Sequence, residues 1–365
     1  MFSGKMNYHD YLQIDKLLSC QKLESQVQGK PAHDEMLFIV VHQVYELWFK
    51  LILTEIDSVL KIFAGDRVDE TLMDLIVSRL QRIVSIQKLL VDQVDVMETM
   101  TPLDFLEFRD LLIPASGFQS LQFRQLEAKL GLKRDQRLKY NQADFDQSLK
   151  PEQRPGMKST EGEPSLFDRV EQWLERTPFL KMRGFDFWQV YKKTVEDSLT
   201  NDLKIIEQNP SLGPEDRKRN QTLLEGSLKS FRSLFDEGSY QQSRQGGDWR
   251  LSYKAIHAAL LIQLYRDQPA LQLPFRLLTA LMDLDEGFTT WRYRHALMAK
   301  RMLGSKVGTG GSSGYQYLRD ATDKHKIFQD LFQLTTFFVP RSKIPVLPQE
   351  VQRELGFFYS NSAGK

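Results

Sequence analysis

Residues 34–62 constrain the fold more than any other stretch. Through the runs FIVV, LWF and LIL, apolar side chains fall on nearly every side of the helix they would form. A helix apolar all round belongs in the middle of a core, so the rest of the chain has to be built around it. The stretch 71–98 supplies a partner. Met73, Ile76, Leu80, Ile83, Leu90, Val94 and Met97 recur at the helical period and make one stripe. Thr101 predicts the cap of a third helix, with Pro102 at its first position and Asp104 three residues after the cap; this helix should stop near Pro114.

The patterning then changes. Residues 135–164 are polar and carry Pro151, Pro155, Gly156, Gly162 and Pro164, which reads as a long exposed connection. Helical patterning resumes at Ser165, a good cap, followed by Leu166, Phe167, Val170, Trp173 and Leu174. A further helix should begin after Gly213-Pro214. A second polar loop is expected at 237–248, which contains Gly246-Gly247, and helices return over 249–266 and 272–303. Alternating strand-like runs are scarce, and no Asn-Gly or Asp-Gly turn lies between apolar runs. The expected fold is all-α. The 365 residues are expected to form one helical domain over 1–365, with an inserted helical lobe at about 165–240.

Charge and cysteine content narrow the function classes. Lys and Arg number 49 against 48 Asp and Glu, a net charge of +1, which leaves no footprint for nucleic acid or an anionic membrane. The single cysteine, Cys20, excludes an intramolecular disulfide, a Cys-rich zinc site and covalent haem attachment through C-x-x-C-H. With no His near it in sequence, it reads as an inert thiol. The N-terminus shows no apolar signal core, and no stretch reaches about 18 uninterrupted apolar residues, so a cytoplasmic location is expected.

Six histidines are present: His9, His33, His42, His257, His295 and His325. None sits in H-E-x-x-H, which removes a zincin. At helical spacing Phe288, Trp291, His295, Met298 and Met302 share a face. A lone imidazole there is either a hydrogen-bonded core histidine or an axial ligand for haem, a flat apolar disc with one metal. His42 shares its face with Phe38, Tyr45 and Phe49, and Glu46 follows one turn later. It reads as half of a buried His–Glu hydrogen bond or as a pocket imidazole facing a substrate N–H. Arg109, between Phe105 and Leu112, needs an anion, from a protein carboxylate or from a substrate. Arg124 suits a surface ion pair or a haem propionate. GTGGSSG at 308–314 is no P-loop, because it lacks G-K-[ST]; it is either a flexible surface loop or a segment that grips a ligand.

Several long blocks resemble the tryptophan 2,3-dioxygenase family. They are YHDYLQIDKLLSCQ, HDEMLFIVVHQVYELWFKLILTEID, TPLDFLEFRDLLIPASGFQSLQFRQLE, WRYRHALMAKRMLGSKVGTGGSSGYQYLR and FFVPRSKIPVLP. The likeness spans most of the chain and is weakest over about 135–250. It implies an all-helical homotetramer that binds haem b (iron) and uses O2 to cleave the indole C2–C3 bond of L-tryptophan, giving N-formylkynurenine. It also implies roles. His295 is the axial ligand of the haem iron, with Trp291 lining the cofactor. His42 is the catalytic distal histidine facing the indole N–H. Arg109 holds the substrate carboxylate beside Phe105, Thr309 takes the ammonium and carboxylate, and Phe38 lines the indole pocket. Tyr8 and Tyr11 come from a neighbouring subunit. Two alternatives stand beside this reading: a haem dioxygenase for another indole, and a non-catalytic haem or tryptophan sensor.

Overall fold

The structure, a computed structural model, describes residues 6–65, 67–138, 149–182, 184–304 and 314–357. In chain order, three short helices open it: α1 (Tyr8–Leu12), α2 (Ile14–Leu18) and α3 (Glu24–Val27). Then follow α4 (Asp34–Phe63), α5 (Met73–Met97), α6 (Pro102–Arg109), α7 (Leu121–Leu130) and α8 (Arg154–Gly162). Next come α9 (Leu166–Glu175), α10 (Phe187–Gln208), α11 (Pro214–Phe235), α12 (Glu237–Gly246) and α13 (Tyr253–Leu264). The chain continues through α14 (Pro269–Leu303), α15 (Gly314–Lys324), α16 (Gln329–Gln333) and α17 (Gln349–Leu355). Among the described residues the extended pairing is one short antiparallel ladder, with Lys181 opposite Asp186 and Met182 opposite Phe185. The fold is all-α.

Two compact units are present. One comprises Met1–Asp57, Arg82–Pro164 and Glu286–Lys326; the other comprises Ser58–Gln81, Ser165–Asp285 and Ile327–Lys365. Every member of the α5 stripe, from Met73 to Met97, is buried. The start of α6 is a reciprocal capping box. The Asp104 N–H donates to the Thr101 hydroxyl at 3.3 Å, and the Thr101 N–H donates back to the Asp104 carboxylate at 3.1 Å. The helix ends at Arg109, and a tight turn over Asp110–Leu112 follows, well short of Pro114.

Three expectations need correction. α4 is fully buried only toward its end, at Ile52, Ile56 and Val59; Met36, Val40 and Leu47 are exposed because no described part of the chain covers that side. By length and composition α4 also qualifies as a membrane span, a test that core helices of soluble proteins pass as well. Residues 154–162, expected within a connection, form α8. Pro155 sits in its first turn, where no backbone N–H is needed, and Met157 and Thr160 are buried. Residues 139–148 of that stretch lie outside the described residues. The second expected loop is α12. Asp236 caps it by accepting from the Ser239 N–H at 2.7 Å, and Gly247 ends it at φ +89°, so the Gly-Gly pair is a helix stop. Tyr240 anchors this helix, its hydroxyl donating to the Leu251 carbonyl at 2.9 Å.

The second unit has an aromatic core. His257 stacks on Trp188 with ring centroids 3.4 Å apart, and Tyr253 lies edge-on to it at 4.0 Å. The Trp188 indole N–H donates to the Tyr253 hydroxyl at 3.2 Å, which donates to the Phe235 carbonyl at 2.9 Å.

Candidate active site

Most of the residues singled out for chemistry lie in the first unit, on α4, α6 and the C-terminal half of α14. α4 presents Phe38, His42, Tyr45 and Phe49 at steps of three and four residues, so they line one face. α6 contributes Phe105, Phe108 and Arg109. α14 contributes Trp291, His295, Met298 and Met302. They meet around a sulfur-rich core of Val41, Met97, Met100, Phe108 and Met302, against which Phe38, Tyr45, Phe105 and Met298 pack.

The walls are aromatic. Phe38 stacks on Phe105 at 5.7 Å and lies 4.1 Å from the His42 ring. Phe108 stands edge-on to both phenylalanines, at 5.7 and 5.5 Å. On the α14 side, Trp291 stacks on His295 at 5.6 Å and packs against Phe123 at 5.1 Å. The sequence reading named Phe38 and Phe105 but missed Phe108 and Phe123. The signal for Phe108 was its step of three from Phe105 on a short capped helix.

His42 makes a hydrogen bond different from the one its sequence neighbours suggested. Its Nδ1 is 2.7 Å from the Phe38 carbonyl oxygen. A carbonyl only accepts, so Nδ1 carries the proton and Nε2 keeps its lone pair. Glu46 is engaged elsewhere, accepting from the Gln122 amide at 2.7 Å. Burial holds His42 below the ordinary imidazole range, opposed by the Phe38 carbonyl and the Glu46 charge. The ring is surrounded by protein atoms yet reaches solvent, which is how a side chain on the wall of a recess behaves.

His295 is depressed to about 4, first by burial and second by the His42 imidazole. Each ring therefore lies within electrostatic reach of the other, and both are neutral at pH 7. Beside them Tyr45 is pushed up to about 12 by burial, with the nearby Trp291 N–H opposing. The Tyr45 hydroxyl donates to the Leu90 carbonyl at 3.0 Å, while the buried Trp291 N–H has no well-aligned acceptor. Among the described residues no group of three His, Cys, Asp or Glu side chains is placed to hold a metal. A metal bound at one of these imidazoles would draw its remaining ligands from a cofactor.

The side chain of Arg109 is 13% exposed, with Nη1 3.4 Å from the Asp110 carboxylate. Asp110 is itself 80% exposed, so this long contact is a weak one. Arg124 is not at the surface as expected. It is buried and paired with Glu127 at 2.8 Å. Tyr8 and Tyr11 stand 70% and 68% exposed on α1 and make no ring contact with Phe38, His42 or Phe105. Thr309 lies outside the described residues, as does the rest of GTGGSSG up to Gly314, where α15 begins.

Across residues 1–338 the chain matches the sequence profile of tryptophan 2,3-dioxygenase. The chain belongs to the tryptophan 2,3-dioxygenase family. A tryptophan 2,3-dioxygenase of Bdellovibrio bacteriovorus is 57% identical over 354 residues, which cover 97% of this chain and 99% of that protein. Those of Alteromonas mediterranea (46% identical, 96% of this chain, 97% of that protein) and Dictyostelium discoideum (47%, 97% and 88%) extend the likeness to distant organisms. Tryptophan 2,3-dioxygenase B of Danio rerio is 49% identical over 96% of this chain and 86% of its own length.

Proposed function

We propose that this chain performs the reaction its family is named for, with the residues of this pocket. The chain is a dioxygenase that puts both atoms of O2 across the indole C2–C3 bond of L-tryptophan and yields N-formylkynurenine, opening the kynurenine route of tryptophan catabolism. The observation that carries the assignment of residues is the pair of neutral imidazoles, His42 and His295, between walls of Phe38, Phe105 and Trp291.

The family is haem-dependent, and the donor set suits haem b. His295 is neutral and makes no hydrogen bond to the described residues, its flank is aromatic and sulfur-rich, and the Trp291 N–H beside it has no well-aligned acceptor among the described residues. His295 would hold the iron and Trp291 would line the macrocycle. When bound, the haem supplies the dioxygen chemistry.

The chain's own residues supply placement. The Phe38 carbonyl fixes the His42 tautomer, so Nε2 accepts the indole N–H of the substrate. Phe38 lines the indole pocket, with Phe105 stacked against it, and the pair excludes water. Arg109 grips the carboxylate through its planar fork, and Thr309 takes the ammonium and carboxylate. Tyr8 and Tyr11 complete the pocket of a neighbouring copy in a homotetramer. Their exposure, and that of Met36, Val40 and Leu47 on α4, supports such an assembly. The single exposed thiol, Cys20, suits a reducing cytoplasm.

The test is to reconstitute the protein with haem, reduce it, add L-tryptophan and oxygen, and follow the ultraviolet absorption of N-formylkynurenine. Product should require all three additions. Arg109→Ala should keep its haem and lose about 10- to 100-fold in kcat/KM for L-tryptophan, the worth of a charged hydrogen-bonded pair. It should lose little toward tryptamine, which has no carboxylate. Unchanged use of L-tryptophan by that variant would remove Arg109 from the substrate site.

A further inference from the structure

Away from the pocket, the first unit buries a second cluster of charges that no step above uses. Its centre is Glu127 on α7, 1% exposed. One carboxylate oxygen accepts from Arg124 Nη1 at 2.8 Å, and the other accepts from Arg292 Nη2 at 3.1 Å. Arg292 also donates from Nη1 to the His325 carbonyl at 3.1 Å. The His325 Nε2 accepts from the Leu138 N–H at 3.1 Å, so its proton sits on Nδ1. That Nδ1 lies 3.5 Å from the Glu127 carboxylate, a contact too long and poorly aligned for a hydrogen bond. The Arg124 guanidinium, with Arg292 and the His325 ring, holds Glu127 well below the usual carboxylate range despite its burial. Tyr317 on α15 lies within electrostatic reach of Arg124, and its ring meets Phe118 edge-on at 5.1 Å.

The position of Arg292 gives this cluster its meaning. It follows Trp291 and precedes His295 by three residues on α14, less than one helical turn. The guanidinium is buried and stays charged, so it must keep its acceptors. Any roll of α14 that re-aims the His295 ring takes Arg292 away from both Glu127 and the His325 carbonyl. We infer that Glu127 is a positioning residue for the haem ligand: through Arg292 it fixes the rotation of α14 and so the aim of the His295 imidazole. This rests on the reading of His295 as the iron ligand.

The test uses haem-loaded protein at equal haem content. In Glu127→Gln, haem transfer to apomyoglobin should speed up tenfold or more. The iron–imidazole stretching band of the ferrous form should also shift or broaden. Glu127→Gln/Arg292→Gln removes the Glu127–Arg292 charge pair, leaves Arg124, and should regain part of the lost melting temperature, while haem transfer stays fast and the band stays altered. If Glu127→Gln does not fold, the double variant carries the same test. Wild-type transfer and an unaltered band in these variants would overturn the inference. So would their recovery in step with melting temperature in the double variant, which marks a purely structural role. His295→Ala is the separate control: if it retains haem with an unchanged spectrum, the ligand reading itself falls.

Discussion

The two units each place a histidine against an indole ring, and they use it in opposite ways. In the first, His295 stacks on Trp291 at 5.6 Å and His42 lies beside Phe38, both neutral and both partly open to solvent. In the second, His257 lies 3.4 Å from Trp188, edge-on to Tyr253, with its Nε2 buried and lacking a well-aligned partner among the described residues. Burial lowers the pKa of all three. An aromatic setting and a depressed pKa therefore do not make a histidine functional. What separates His42 and His295 from His257 is access to solvent.

The sharpest test of that contrast is removal of each imidazole in turn. His295→Ala should lose haem and tryptophan turnover together, read from the visible spectrum and from product formation. Retention of both would put His295 in the same class as His257. His42→Ala should keep haem and slow turnover roughly tenfold, about the worth of one hydrogen bond near 1.5 kcal/mol. Complete loss with haem intact would give His42 a proton-transfer role beyond orientation.

The sequence carried much of this contrast, though unevenly. The shared helix faces of Phe38, His42 and Tyr45, and of Trp291, His295 and Met298, follow from steps of three and four residues, and those faces are present. Spacing also marked the caps at Thr101 and Ser165, because a capping box is local chemistry. Spacing did not show that Glu46 would turn to Gln122, 76 residues away, and leave His42 to the Phe38 carbonyl. Nor did it show that Arg124 would be buried: its partner Glu127 is only three residues on, but that carboxylate also takes Arg292, 165 residues distant. Helices α8 and α12 were misread for a related reason. Proline in a first turn and glycine at a helix stop are the same letters that mark loops, and only tertiary burial of Met157 and Tyr240 separates the cases.

The smallest expected effect concerns the sealed histidine, and it separates access from burial most directly. His257 is held at about 3, chiefly by burial, with the Leu234 backbone and the Asp186 charge opposing. An unfolded chain titrates this imidazole near 6.5. The folded pKa is the lower one, so its contribution to stability is complete above pH 6.5. That contribution is lost as the pH falls toward 3, because the unfolded state binds the proton first. Between pH 7 and pH 5 the loss from this one group should be about 2 kcal/mol. His257→Phe keeps a flat ring against Trp188 and has nothing to protonate. Urea unfolding of the haem-loaded protein at both pH values should show a shallower loss for the variant, with carboxylate titrations common to both proteins cancelling in the difference. Its turnover of tryptophan at pH 7.5 should stay within about twofold of wild type, as expected for packing energy spent away from the chemistry. Equal acid slopes would mean that the second unit opens to solvent before His257 titrates, and the contrast between a sealed and an accessible imidazole would then be one of local stability instead of burial.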